Sequence, residues 1–201
     1  MYITNNDISS LVIDRLSNRI DGEGVSVAYH YCNFQTQKSQ VTWQMLTGLL
    51  RQVVGGLGVI PVEIDRAFQK AKQGFDGRCL SVPEILKLLS AALKSEKRTF
   101  ICIDALDECL TEHRLEFLRS LHAIVRDSPN VRLFATGRPH IQSTFEEHYG
   151  GALQIILFKP VKVDIRRYLE MKVQDDELRQ EMDSELRRGI MEVIPEKISE
   201  M

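Results

Sequence analysis

No stretch constrains this chain more than Thr99-Phe100-Ile101-Cys102-Ile103-Asp104, where apolar side chains run without alternation up to an acid. A strand with one wet face alternates apolar and polar residues. A strand that does not alternate is covered on both faces, as in a parallel sheet. Three more runs have strand character: 25–31, β-branched and aromatic, then 131–136 and 153–157. Helical spacing fills the intervals. Ile8, Leu11, Val12, Leu16 and Ile20 mark a first helix, with Ser9 or Ser10 helping to start it. Met45, Leu46, Leu49, Leu50 and Val53 mark a second, ended by Gly55-Gly56-Leu57-Gly58, and Ala67, Phe68 and Ala71 a short third. Ile85, Leu86, Leu89 and Leu93 form a stripe behind Ser81-Val82-Pro83-Glu84, which has the pattern of a capping box with proline in the first turn. Leu115, Leu118, Leu121 and Val125 give the next helix, and a short one is predicted over 141–148. Strands that alternate with helices predict an α/β fold with a mainly parallel sheet, the 99–104 strand lying between 25–31 and 131–136.

Composition narrows the function classes. The 201 residues carry 26 Lys+Arg against 28 Asp+Glu, a net charge of −2, and 43% hydrophobic residues, enough for a core. Near-neutral charge predicts no general nucleic-acid binding, which needs a basic face. The four cysteines make no CxxC pair, so neither a disulfide framework nor a zinc site is predicted. No apolar run approaches the roughly 20 residues of a membrane span, and the N-terminus lacks a secretory pattern. The expected location is the cytoplasm. His30, His113, His122, His140 and His148 show no pairing with a nucleophile by spacing and are expected to be structural, as is the single Trp43.

The chemistry is expected where the 99–104 strand ends. Asp104 stands at the C-terminal edge of a buried parallel strand, where ligands of open α/β sheets bind. A carboxylate there can hold Mg²⁺ through water beside nucleotide phosphates. Glu108 is placed to polarise an attacking water, with Asp107 assisting. The plain alternative is a buried strand followed by an acidic helix cap. In Leu133-Phe134-Ala135-Thr136-Gly137-Arg138-Pro139 a strand again ends, and Arg138 brings a cation to the same edge, where it can sense a γ-phosphate. A solvated Arg in a Pro turn is the alternative there.

These residues carry a resemblance. ICIDALDEC followed by LFATGRP resembles the Walker B and sensor regions of NACHT-type P-loop NTPases. SSLVIDRL, VAYHYCNF and ILKLLSAALKSEKRTFICIDALDEC resemble the nephrocystin-3-like N-terminal domain of fungal STAND signalling proteins, and LFKPVKVDIRRYL resembles the lead into that family's helical lid. The resemblance implies a partial NACHT-like nucleotide-binding domain over 1–160 and the start of a lid over 161–201. It implies ATP or GTP with Mg²⁺, slow hydrolysis, and a signal-transduction switch whose partners are other domains of a longer regulator or further copies of itself. By the match, Asp104 is the magnesium-associated acid, Asp107 and Glu108 the acidic pair that follows, and Arg138 the sensor.

One departure qualifies this. A P-loop requires G-x-x-x-x-G-K-[ST], and the 201 residues contain none. In relatives it would precede SSLVIDRL, on a strand between 131–136 and 153–157. A truncated chain or gene model is the expected explanation, a degenerate paralogue the alternative. The chain by itself is therefore expected to be inactive toward nucleotide and marginally stable. A non-enzymatic interaction module on the same scaffold is the second reading. The charged stretch 175–188 is expected to be a solvated helix face, with Leu178, Met182, Leu186 and Ile190 as its apolar stripe and Asp183–Arg187 as one ion pair.

Overall fold

The computed structural model describes residues 5–18, 24–73, 80–150, 154–157, 161–174 and 183–199. The chain divides into two compact units, one spanning Ile3–Leu153 and one containing Gln154–Met201. The first holds α1 (Asn5–Ser17), β1 (Val25–Tyr31), α2 (Thr42–Gly56), α3 (Val62–Gln73), α4 (Val82–Lys94), β2 (Arg98–Asp104), α5 (Thr111–Asp127), β3 (Val131–Ala135) and α6 (Gln142–Tyr149).

The three strands pair in the order β1-β2-β3, all parallel, with β2 central. That is the expected neighbourhood of the 99–104 run. Cys102 and Ile103 on its two sides are 1% and 0% exposed, so the unalternating strand is indeed covered on both faces. Ala28, Ile101, Ile103 and Val131 form one face and pack with Leu46, Leu49, Leu89, Phe117 and Leu121 from α2, α4 and α5. On the outer edge of β1, the Gln52 side chain accepts from the Tyr29 amide at 3.0 Å and donates to its carbonyl at 2.8 Å. A side-chain amide thus occupies backbone groups that would otherwise offer themselves to another strand. The capping box forms: the Glu84 carboxylate accepts the Ser81 amide at 2.9 Å and hydroxyl at 2.6 Å.

Two expectations are corrected. α1 begins at Asn5, so Ser9 and Ser10 lie inside it rather than at its start. Within the described residues it stops at Ser17; Ile20 lies outside them. The strand predicted over 153–157 does not form: Leu153 lies outside the described residues, and 154–157 is irregular with Ile155, Ile156 and Leu157 exposed. A short apolar run specifies a strand only when a neighbour takes up its amides and carbonyls, which periodicity does not reveal.

In the second unit, α7 (Lys162–Gln174) and α8 (Ser184–Ser199) pack together. Ile165, Leu169 and Val173 bury one stripe at four-residue spacing, and Lys162 pairs with Glu196. Leu178 and Met182 of the expected stripe lie outside the described residues, and Leu186 is exposed. Asp183 accepts from the Leu186 amide at 2.7 Å, so its carboxylate caps α8 instead of pairing with Arg187.

Candidate functional site

The parallel strands end together. Register sets Tyr31 opposite Asp104 and Ile103 opposite Ala135, so the turns after β2 and β3 leave the sheet side by side. Asp104 is 2% exposed. A buried carboxylate needs hydrogen bonds to offset its lost hydration. Two hydroxyls supply them: Ser9 donates to Oδ1 at 2.5 Å and Thr136 to the same oxygen at 2.6 Å. Thr136 also accepts the Ala105 amide at 3.0 Å, while its own amide and carbonyl bond Ile103 and Leu106. The β2 and β3 exits are therefore laced through one threonine.

Beyond Asp104 the chain turns sharply. Ala105 has φ +51°, the left-handed region that non-glycine residues rarely enter. The turn feeds a short 3₁₀ segment, Leu106–Glu108, that buries Leu106 and brings both acids to the edge. Asp107 Oδ1 accepts the Arg138 amide at 3.1 Å, and its Oδ2 lies 3.4 Å from Arg138 Nε. Glu108 Oε2 accepts the Phe34 amide at 2.9 Å, joining the acidic turn to the loop after β1. Arg114 Nη1 donates to the Asp107 carbonyl at 3.2 Å and holds the turn from α5. Gly137 packs closely against Ile141: a Cβ there would meet Ile141 Cδ1 at 2.5 Å, so the isoleucine tip would have to move aside.

All four sequence-predicted residues thus stand at the C-terminal edge, in three separate ties. Asp107 meets Arg138, Asp104 meets Ser9 and Thr136, and Glu108 meets Phe34. Two cavities, of about 430 and 580 Å³, include neither Asp104 nor Arg138; the smaller, lined by Gly24, Gly56 and Glu96, lies at the opposite end of the strands. Ser9, Thr136 and Arg114 were not singled out by sequence. The signal for Thr136 was present, a polar residue ending a strand; the signal for Ser9 was not.

Mg²⁺, implied by the resemblance, fits what is present. Both hydroxyls fall on Oδ1 of Asp104, which leaves Oδ2 as a hard oxygen donor at the edge. Among the described residues no group of three His, Cys, Asp or Glu could hold a metal, so Asp104 would share the ion with waters and phosphates. Behind the edge, burial lowers the His30 pKa from 6.5, against a raising hydrogen bond from Gln40. The shared hydrogen bond and burial push Cys32 far up, while the same bond and the charge of Arg114 lower Cys109. Burial raises Cys102 to about 11.

The family model described as Nephrocystin 3, N-terminal matches residues 7–138, more than half of the 201-residue chain and inclusive of every site residue above. No curated protein sequence matches the chain. Among solved structures, Orc1 of Aeropyrum pernix, determined in complex with DNA, is similar with a TM-score of 0.51 and 17% identity, over 85% of this chain and 40% of that one. A Walker-type ATPase of Pyrococcus abyssi aligns with a TM-score of 0.43 and 12% identity, over 98% of this chain and 59% of that one. The chain spans less than two thirds of the length of either. The fold is α/β, a parallel sheet flanked by helices, as in the Orc1 structure. No described helix is long and apolar enough to cross a membrane.

Proposed function

We propose, since the chain belongs to the nephrocystin 3 N-terminal family, that its sheet edge is the acidic half of an ATP or GTP site in a NACHT-type signalling switch. The observation that carries this reading is Asp104, buried at the end of the central strand with one oxygen fixed by Ser9 and Thr136 and the other left over. When bound, Mg²⁺ supplies charge neutralisation to the nucleotide phosphates. Asp104 would hold the ion through Oδ2, directly or by way of water. Arg138, its Nε beside Asp107 and its side chain 69% exposed, offers its remaining N–H groups to a γ-phosphate oxygen. Glu108 orients the attacking water, and Asp107 holds Arg138 in place.

The phosphate cradle is the part these residues do not supply. Backbone amides of a glycine loop and its lysine do that work in P-loop enzymes, and neither is in the 201 residues. By itself the chain accordingly neither binds nor hydrolyses nucleotide appreciably. Among the described residues β3 pairs only with β2, so its other edge is open to the strand that carries such a loop. Residues 1–160 form the nucleotide-binding part, and α7 and α8 begin the lid within 161–201. The partners are further domains of the regulator or a second copy. Calorimetric titration of ATP and of GTP, each with Mg²⁺, into the purified chain tests this. No micromolar binding is expected; micromolar, Mg²⁺-dependent binding would overturn the assignment of the phosphate side.

A further inference from the structure

Cys32 and Cys109 stand 77 residues apart in sequence, and their sulfurs are 2.9 Å apart. From this juxtaposition we propose that Cys32 and Cys109 form a redox-active pair. It closes to an intramolecular disulfide under a hydroperoxide, reopens under a thiol, and in closing fixes the acidic turn to the end of β1.

Both thiols are free and buried, at 5% and 3% exposure. Each sits on backbone that is tied down. Cys32 directly follows β1, and its amide donates to the Asp104 carbonyl at 3.0 Å. Cys109 closes the Leu106–Glu108 turn: its amide bonds the Leu106 carbonyl at 3.3 Å, and its own carbonyl accepts from Arg114 at 3.4 Å. The next polar or sulfur neighbours of the Cys109 sulfur, Gln40 Oε1 and Met45 Sδ, are both at 3.9 Å. Cys102 is no competitor. It points to the α1 side of β2, away from the core that Cys32 and Cys109 share.

The chemistry balances with one peroxide. One thiol sulfur attacks the peroxide oxygen; the O–O bond breaks, giving a sulfenic acid and an alcohol, or water from hydrogen peroxide. The second sulfur attacks the sulfenic sulfur. The S–S bond forms, the S–O bond breaks, and the oxygen leaves as water with the second thiol's proton. Two thiols lose two electrons and the peroxide gains them. Two equivalents of an external thiol reverse the process by exchange. Burial favours a small oxidant over a bulky one. The new bond would run parallel to the tie between Glu108 and the Phe34 amide, so that Glu108 is held by the loop after β1. A reversible bond between two cysteines is compatible with the absence of a disulfide framework in the composition.

The test is oxidation of the reduced chain with hydrogen peroxide, quenching by alkylation under denaturing conditions, and peptide mass spectrometry. The expected product is one cross-linked peptide pair joining Cys32 and Cys109, lighter by two hydrogens and released by dithiothreitol. It should persist in Cys102→Ala and vanish in Cys109→Ala. Amide exchange at Phe34 should slow on oxidation. Three results would overturn the proposal: both sulfurs alkylated after Cys102 or methionine has oxidised, Cys109 driven to sulfinic acid without a cross-link, or cross-links only between chains. The outcome does not depend on whether nucleotide binds.

Discussion

On one face of the sheet Ala28, Ile101, Ile103 and Val131 lie under α2, α4 and α5, each at most 1% exposed. On the other face, toward α1, Tyr29 and Tyr31 are 41% and 39% exposed and Phe100 and Phe134 are half-buried. The same three strands serve both. The packed face is apolar, and its stability comes from excluded water and close contact. The α1 face has thinner apolar cover, yet it holds the deeply buried acid at the sheet edge. Asp104 tolerates burial because two hydroxyls reach it, one from α1 and one from the end of β3. Apolar packing is concentrated on one side of the sheet and the buried acid on the other.

Truncating the packed face should cost most. Phe117 is 0% exposed and meets the His30 ring edge-on at 6.3 Å. Phe117→Ala is expected to lower unfolding free energy by about 3–5 kcal/mol. Phe134→Ala, on the α1 face, is expected to cost less than about 2 kcal/mol. Urea denaturation of the two variants measures the contrast, and equal losses would erase it.

A smaller effect isolates the acid. Ser9→Ala and Thr136→Val each remove a donor from Asp104, at a cost of about 1–3 kcal/mol. Because both donors serve the same oxygen, the double variant should depart from additivity, whereas pairing Ser9→Ala with Phe117→Ala should be additive. A double-mutant cycle read by denaturation decides.

The smallest effect is a pH slope from the packed face. Burial depresses the His30 pKa below 6.5, so the unfolded chain takes up the proton first as pH falls. Stability from this group is full above pH 6.5 and declines below it, toward the folded pKa. His30→Asn should flatten the slope below pH 6.5 by no more than one proton, measured by thermal unfolding across pH. A slope that steepens, or appears above pH 7, would contradict the assignment.

The packed face was legible because period and burial coincide there. An unalternating run named β2, stripes named α2, α4 and α5, and Ser81 with Glu84 named a helix start. Asp104, Asp107, Glu108 and Arg138 were legible as polar residues at strand ends. Their partners were not. Ser9 is one of three serines on α1, and only the packing of that helix on the sheet brings it to an acid 95 residues away. Cys32 and Cys109 meet across 77 residues for the same reason. The left-handed Ala105 had no glycine to announce it. At 154–157 apolar content was mistaken for pairing, which belongs to neighbours and not to the run itself.

The most direct test of the account supplies the missing cradle. Place a strand and a G-x-x-x-x-G-K-[ST] loop before residue 1, then measure ATP affinity by calorimetry with and without Mg²⁺, alongside Asp104→Asn in the same extended chain. The account predicts Mg²⁺-dependent binding that the parent extended chain shows and the 201-residue chain does not, and a loss of the Mg²⁺ dependence in Asp104→Asn. Binding whose Mg²⁺ dependence survives Asp104→Asn would contradict the placement of the metal-holding acid at the end of β2.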